Sequence, residues 1–339
     1  MRYGFAACGV AALLAIAAPM LAHAEDPVTL KFGFPAPVTS YVNTEGMTPW
    51  LEQVEKASGG TLQIKLFAGP TLGTFRDIYE RTLSGVSQIS FGVFGPLASQ
   101  FPRTQVTGLP FLSDNAKASS VALWRLYAMG LLKPEFDKVK VLALFNFPSS
   151  TLNTAKPVKT LEDLKGMKVA VSSRVLGDVA AALGASPVTL TPTELYQGMS
   201  RGVVDGVFVA WTAVKTFKLD EVTKYHVEVP LGEAPAYVFM NQATYAGLPA
   251  SAKAAIDKFS GEAFSEKLGA NNQAADDEES KAVAAKPGHE VGPISDAQYV
   301  VWKARIKPVI DEWIKTTPDG AKVFGAYEDE LKKIKAAAK

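Results

Sequence analysis

The chain's order of strand-like and helix-like segments constrains its fold more than any single residue does. Val28 to Phe34 alternates as a strand does, and Pro35-Ala36-Pro37 closes it with a turn. From about Glu45 to Lys56 the apolar positions Met47, Trp50, Leu51 and Val54 fall at helical spacing. Ser58-Gly59-Gly60 then stops the helix before a second strand, Thr61 to Phe67. A Gly69-Pro70 turn, a helix from about Thr74 to Ser84 and the strand Gln88 to Phe94 follow. The alternation of that last strand is blurred, as expected for a strand buried on both faces. This β-α-β order predicts an open α/β layer structure.

The pattern then begins again. Strand Val139–Phe145, helix Leu161–Leu164, strand Lys168–Val171, helix Leu176–Leu183, strand Ser186–Leu190, helix Pro192–Ser200 and strand Gly206–Val209 read as a second α/β lobe. His226–Val229 and Ala236–Met240 are strand-like and stand where crossover strands rejoin the first lobe. Two lobes joined by more than one crossing make a hinge. Ala250 to Ala284 is rich in Ala, Glu, Lys and Gln with little Gly or Pro, so it reads as one long helix or a broken pair. Its run Asp276-Asp277-Glu278-Glu279 reads as a solvated face. The tail from Asp296 to Ala338 is helical in pattern, and Trp302, Ile306, Val309, Ile310 and Trp313 form a stripe for core packing. The expected division is residues 1–24 as a signal peptide, 25–148 as the first part of lobe 1 and 149–234 as lobe 2. Residues 235–290 then return to lobe 1 with the long helix, and 291–339 are C-terminal helices packed on both lobes.

The signal peptide rests on three features. Arg2 supplies a positive start, Phe5 to Leu21 form an apolar stretch, and Ala22-His23-Ala24 is an A-x-A cleavage site, so the mature chain is expected to begin at Glu25. The apolar run is short for a spanning helix, and Glu25-Asp26-Pro27 follows it directly. The sole cysteine, Cys8, lies early in that stretch, the wrong place for a lipoprotein signal, and leaves with it. Export to the periplasm follows, with a cysteine-free mature chain long enough to manage without disulfides. Losing Arg2 takes the basic count from 35 to 34 against 34 acids, so the mature chain is formally neutral. Its lysines are dispersed among acids, which argues against a nucleic-acid partner.

Catalytic constellations are sparse. The chain has no G-x-S-x-G elbow, no G-x-G-x-x-G after a strand, no phosphate-binding G-x-x-x-x-G-K-[ST] and no H-E-x-x-H. Only His226 and His289 survive cleavage, far apart in sequence and without an acid at ligand spacing, so neither a zinc site nor a cofactor is expected. His226 reads as an exposed or hydrogen-bonded imidazole. Ser149-Ser150-Thr151 has hydroxyls but no nearby base. A periplasmic enzyme is therefore the runner-up class, behind a binding module.

Several collinear segments resemble the solute-binding subunits of tripartite ATP-independent periplasmic (TRAP) transporters. They are Ser58-Gly59-Gly60 with the strand running to Leu72-Gly73, then Leu161-Glu162-Asp163-Leu164-Lys165-Gly166-Met167-Lys168-Val169. The most specific runs from Gly184-Ala185-Ser186-Pro187 through Glu194-Leu195-Tyr196 to Gly202-Val203-Val204-Asp205-Gly206. Gly108-Leu109-Pro110-Phe111 and Asn241-Gln242 before Leu248-Pro249 also fit. The resemblance implies a two-lobed periplasmic binding protein fold with hinge-crossing strands and a long helix touching both lobes. It also implies a monomer that closes on a small molecule and delivers it to integral membrane transporter subunits.

Ligands of open α/β lobes sit beyond the carboxyl ends of the strands. That rule selects Phe34, Pro35, Thr74, Phe94, Ser149, Ser150, Ala170, Ser172 to Arg174, Val209 to Trp211, and Phe239 as ligand-binding candidates. The resembled family usually places a carboxylate-binding arginine where this chain has Ala170, and some members place a second basic residue where Ser150 stands. Val209 replaces an asparagine, Thr74 an acid of some members and Pro35 an asparagine of some. Two readings compete. In the preferred one, Phe34, Phe94, Phe208, Trp211 and Phe239 line an apolar pocket for a neutral, aromatic or lipid-like molecule, because a desolvated carboxylate without a cation is costly. In the other, Arg174 or Arg76 takes over the lost guanidinium's role with an organic acid.

Overall fold

Two sheets divide the strands of the computed structural model, which describes residue 1 and residues 27–337. The expected signal peptide and its cleavage site fall on residues outside that range. The first sheet has the order β2 (Leu62–Ala68), β1 (Val28–Phe34), β3 (Ile89–Val93), β10 (Ala234–Asn241), β4 (Val139–Phe147). Strands β1, β2 and β3 run parallel, and β10 is antiparallel to both β3 and β4. The second has the order β11 (Glu290–Pro293), β9 (Tyr225–Glu228), β5 (Thr151–Thr154), β8 (Gly206–Val209), β6 (Lys168–Val171), β7 (Ser186–Thr189). Each sheet is flanked by helices, and the result is a two-lobed α/β binding-protein fold.

Four strands depart from the sequence reading. Val139–Phe145 was read into the second lobe, yet β4 is the edge of the first sheet. Its largely apolar, buried character is explained by cover: Leu144 N–H donates to Ser265 Oγ at 3.1 Å, Asn146 N–H to Ser120 Oγ at 2.9 Å, and Leu142 O accepts from Gly261 N at 2.7 Å. Two helices thus satisfy an edge that would otherwise recruit another strand. His226–Val229 does not rejoin the first lobe, because β9 stays in the second sheet between β5 and β11. The short strands β5 and β11 had no alternation long enough to register.

The chain crosses between the lobes at 148–150 and at 229–233, and the crossings are tied to each other. Ser150 N–H donates to Gly232 O at 2.8 Å, Leu231 N–H to Ser150 O at 3.3 Å, and Gly232 N–H to Ser149 Oγ at 3.2 Å. Gly232 has φ 112°, and a Cβ there would stand 2.1 Å from Gly108 O, so the hinge needs glycine at this point. The third crossing is the Ala-rich segment, which is a broken pair of helices, Ala250–Phe259 and Glu262–Ala284, interrupted at Ser260-Gly261 where Gly261 has φ 93°. The second of these, hereafter the long helix, reaches from β4 to the helix Trp211–Thr216 of the other lobe. The helix Asp296–Thr316 packs on the second lobe through Trp302 and Ile306, and Gly320–Ala337 returns to the first through Val323 and Tyr327.

The acidic run on the long helix is not a solvated face. Asp276 and Glu279 are buried, and Asp276 Oδ1 accepts from Thr212 N–H at 2.8 Å at the start of the helix Trp211–Thr216. Glu279 pairs with Lys215 at 3.4 Å. These links tie the long helix to the second lobe, which a helix with only a first-lobe role would not require.

Candidate functional site

A cavity of about 100 Å³ lies between the lobes where the carboxyl ends of β1 and β3 face those of β6 and β8. Its walls are apolar: Phe75, Phe91 and Phe147 from the first lobe, Phe208 and Phe217 from the second, with Val42, Val93, Leu176, Leu195 and Val209 between them. The phenylalanines are held from behind. Phe34 stacks on Phe91 with ring centroids 4.9 Å apart, and Phe75 meets Phe91 edge-on at 5.9 Å. Such packing leaves these rings few rotamers, so the wall is preorganised.

Polar groups enter the cavity at two places. On one side Ser150, Ser172 and Ser173 stand at the start of the helix Arg174–Ala182, where Ser173 Oγ accepts from Leu176 N–H at 3.2 Å. On the other, Ser40, Thr212 and Asn272 converge beside the long helix. Among the described residues, none that lines the cavity is a lysine or an arginine. Glu233 borders it from the hinge, with its carboxyl fully buried near Ser119 and Ser113, and burial pushes its pKa up to about 8. Burial likewise pushes Asp276, one turn beyond Asn272, up to about 7.

The lobes are closed on this cavity. Gly95 of the first lobe lies against the backbone of Ser172 in the second, so closely that a Cβ on Gly95 would sit 2.0 Å from Ser172 O. Arg76 and Glu194 form an ion pair of 2.7 Å from lobe to lobe, with both side chains roughly half exposed.

Of the fourteen candidates, the structure brings Ser150, Ser172, Ser173, Val209 and Ala210 to the cavity. Phe208, read as lining, is there too. The others are elsewhere. Phe34 is a buried support behind Phe91, Pro35 is buried beside the lining Ala36, and Thr74 is exposed and bonded to Asp77 at 2.7 Å. Phe94 and Phe239 belong to a buried aromatic cluster with Phe101 and Tyr237 on the far side of the first sheet. Ser149 caps the hinge, and Ala170 packs against Leu195 and Val207 within the second lobe. Trp211 turns away, its ring 4.9 Å from that of His226, while its neighbours Ala210, Thr212 and Ala213 line the cavity.

Neither displaced arginine reaches the site. The Arg174 side chain is 87% exposed and lies 3.9 Å from Asp178, and Arg76 is spent on Glu194 outside the lining. The organic-acid reading through either of them is therefore not supported by the geometry. Phe75, Phe91, Phe147 and Phe217 were missed. Phe75 follows Thr74, and Phe91 lies on β3 three residues before Phe94, just past the strand's end, so the sequence points to the right segments with the wrong phase. Asn272 carried no signal, because nothing in a polar helix marks which turn faces a cleft.

The two surviving histidines, distant in sequence, are adjacent in space. His226 Nδ1 is 2.8 Å from Asn153 Oδ1, its Nε2 is 3.0 Å from His289 Nδ1, and Lys224 Nζ lies 3.0 Å from His289 Nε2. His226 is buried, and burial with neighbouring His289 pushes its pKa down to about 4. Among the described residues no group of three or more His, Cys, Asp or Glu is arranged to hold a metal ion. None of the described helices is long and apolar enough to cross a membrane.

Comparison with known proteins agrees with this geometry. The model of the bacterial extracellular solute-binding proteins of family 7 matches residues 37–316. The C4-dicarboxylate-binding periplasmic protein of Rhodobacter capsulatus is 28% identical over 308 residues, covering 88% of this chain and 89% of that one. A TRAP solute-binding protein from Rhodoferax ferrireducens, solved with copurified benzoate, superposes with a TM-score of 0.87 at 30% identity, covering 92% of this chain and 100% of that one. A marine metagenome TRAP solute-binding protein specific for aromatic acids, solved with 3-hydroxybenzoate, gives 0.86 at 28% identity, covering 91% and 99%. With a match across most of its length and the two-lobed cleft in place, this chain belongs to family 7 of the bacterial extracellular solute-binding proteins, the solute-capturing subunits of TRAP transporters.

Proposed function

We propose that this protein captures a small, single-ring aromatic molecule, preferentially an uncharged one. The observation that carries the reading is the cavity between the lobes with five phenylalanines in its walls and no lysine or arginine. An apolar protein cavity of roughly 150 Å³ takes up benzene, so a cavity of this order suits one ring. Each ring face buried against a phenylalanine contributes about 1 kcal/mol through burial and stacking. An ionised dicarboxylate in the same closed site would leave its charges unpaired at a cost of several kcal/mol.

A second reading has its own observation. The start of the helix Arg174–Ala182, with Ser172 and Ser173, offers backbone N–H groups to an anion at one side of the cavity. The solved relatives holding benzoate and 3-hydroxybenzoate favour it. A thermal-shift and calorimetric screen of toluene, phenol and benzamide against benzoate and succinate at pH 8 separates the two. Benzamide or phenol binding above benzoate supports the uncharged ligand, benzoate above benzamide the aromatic acid. Succinate above all aromatics would overturn both. Because Arg174 faces solvent, Arg174→Ala is expected to leave the order and the affinities unchanged.

The protein's place in the cell follows the same reading. It is exported to the periplasm, cleaved after Ala24, works as a monomer and releases its ligand chemically unchanged to integral membrane subunits of a TRAP transporter. No cofactor, metal or nucleic acid takes part. Mass spectrometry of the periplasmic protein should find Glu25 at the amino terminus, and an intact chain in the membrane fraction would refute the export.

A further inference from the structure

Three residues that line the cavity beside the long helix each carry a buried polar atom without a partner. These atoms are Ser40 Oγ, Thr212 Oγ1 and Asn272 Oδ1, on residues that are 4%, 7% and 1% exposed. Each comes from a different element. Ser40 precedes the helical segment starting at Val42 in the first lobe, Thr212 lies in the second lobe's helix Trp211–Thr216, and Asn272 belongs to the long helix that passes between them. The local bonds bring these elements together. Asn271 Nδ2 donates to Glu45 O at 2.8 Å, and Asp276, one turn from Asn272 on the same helix face, accepts from Thr212 N–H at 2.8 Å.

The orientation of the Asn272 amide is determined by its other half. Nδ2 donates to Leu268 O, one turn back along the helix, at 2.9 Å, and only the amide nitrogen can make that bond. Oδ1 is therefore the atom left over, and it can only accept. A group placed against it must bring a hydrogen. The hydroxyls of Ser40 and Thr212 can donate or accept, so they suit a partner that does both. A ring hydroxyl meets all three demands, whereas a methyl group strands a buried acceptor and an ionised carboxylate sets oxygen against oxygen. Asp276 beside Thr212 adds to the penalty for an anion at this side of the cavity.

We propose that the ligand carries a ring hydroxyl, or an equivalent hydrogen-bond donor, that Asn272 Oδ1 accepts while Thr212 and Ser40 complete the shell, making Asn272 the residue that reads the ligand's polar substituent. This rests on the aromatic reading of the cavity and holds for either charge state of the rest of the molecule. The group would bridge both lobes at the long helix, so recognition of the hydroxyl and closure of the cleft are coupled.

The test measures affinities by calorimetry for two sets of probes on the mature chain: phenol against toluene, and the three monohydroxybenzoates against benzoate. In the wild type the hydroxyl is expected to tighten binding roughly tenfold in at least one set. In Asn272→Leu that ratio should fall to near one. Thr212→Val, which leaves the long helix untouched, should shrink the same ratio and guards against a folding defect in the first variant. A hydroxyl with no advantage in the wild type, or an advantage that survives both substitutions, overturns the assignment while leaving the aromatic reading standing. Failure of every probe to bind removes the aromatic reading and this inference with it.

Discussion

Gly95→Ala tests whether the closed arrangement of the lobes is what creates the site. The added Cβ would sit 2.0 Å from Ser172 O, while ordinary contact begins at 3.4 Å, so the lobes must part there by 3.4 − 2.0 = 1.4 Å. Gly95 is not among the residues with positive φ, so alanine brings no backbone strain of its own, and the effect is confined to the lobe contact. A gap of about 0.5–1 Å already forfeits a quarter to a half of a dispersion contact. Both Gly95 and Ser172 line the cavity, so a ligand touching both lobes loses roughly half its contacts with one of them. The expected cost is about 2 kcal/mol, or ~30-fold in Kd. Calorimetry with the tightest aromatic probe measures it, and solution scattering of the saturated protein should show a larger radius of gyration than the wild type. The melting temperature without ligand should be unchanged or slightly higher. An affinity within twofold of the wild type with unchanged scattering would refute the reasoning, since the lobes would then bind without this contact.

Two further outcomes are expected. Burial pushes the Asp276 carboxyl up to about 7 from its ordinary 3.8, and that of Glu233 up to about 8 from 4.5. A raised carboxyl binds its proton more tightly when folded, so its contribution is full below pH ~4 and is lost as pH rises through the folded value. For Asp276 the loss is about 4 kcal/mol at most. His226, lowered to about 4, acts in the opposite sense below pH 6.5, so the window to measure is above it. Melting temperature should fall between pH 6.5 and 8.5, less steeply in Asp276→Asn and Glu233→Gln, and a flat or rising wild-type curve there would contradict the assignment. Gly269→Ala should destabilise by ~1–3 kcal/mol in a urea titration, because its Cβ would meet Ala116 O at 2.5 Å and Ser120 Oγ at 2.3 Å where the long helix crosses the helix Ala116–Ala128. A change below 0.5 kcal/mol, the scale of an ordinary surface substitution, would show that this crossing is loose.

The β-α-β order of both lobes and the helical character of the Ala-rich segment were legible in the chain itself, because they depend on local propensity and turn chemistry, whereas the choice between one long helix and a broken pair stayed open. What the linear pattern lacked was phase. In Ile89–Val93 every position is buried, Ser90 and Gly92 included, so alternation cannot say which side faces the cleft; the sequence points to Phe94 where the cavity uses Phe91, Val93 and Gly95. The same ambiguity turned Trp211 toward His226 and left Thr212 and Ala213 at the wall. Long-range pairing was equally hidden. Val139–Phe147 joins the first sheet because β10 returns to lie between it and β3, a pairing across almost a hundred residues that no local signal encodes. Asp276 reads as a solvated polar position, and Asn272 carries no signal, because helical periodicity locates a face only relative to its neighbours, and the neighbour of Asp276, Thr212, comes from the other lobe. Local chemistry determined the elements, while the packing of the long helix between the two lobes decided which side chains line the cavity.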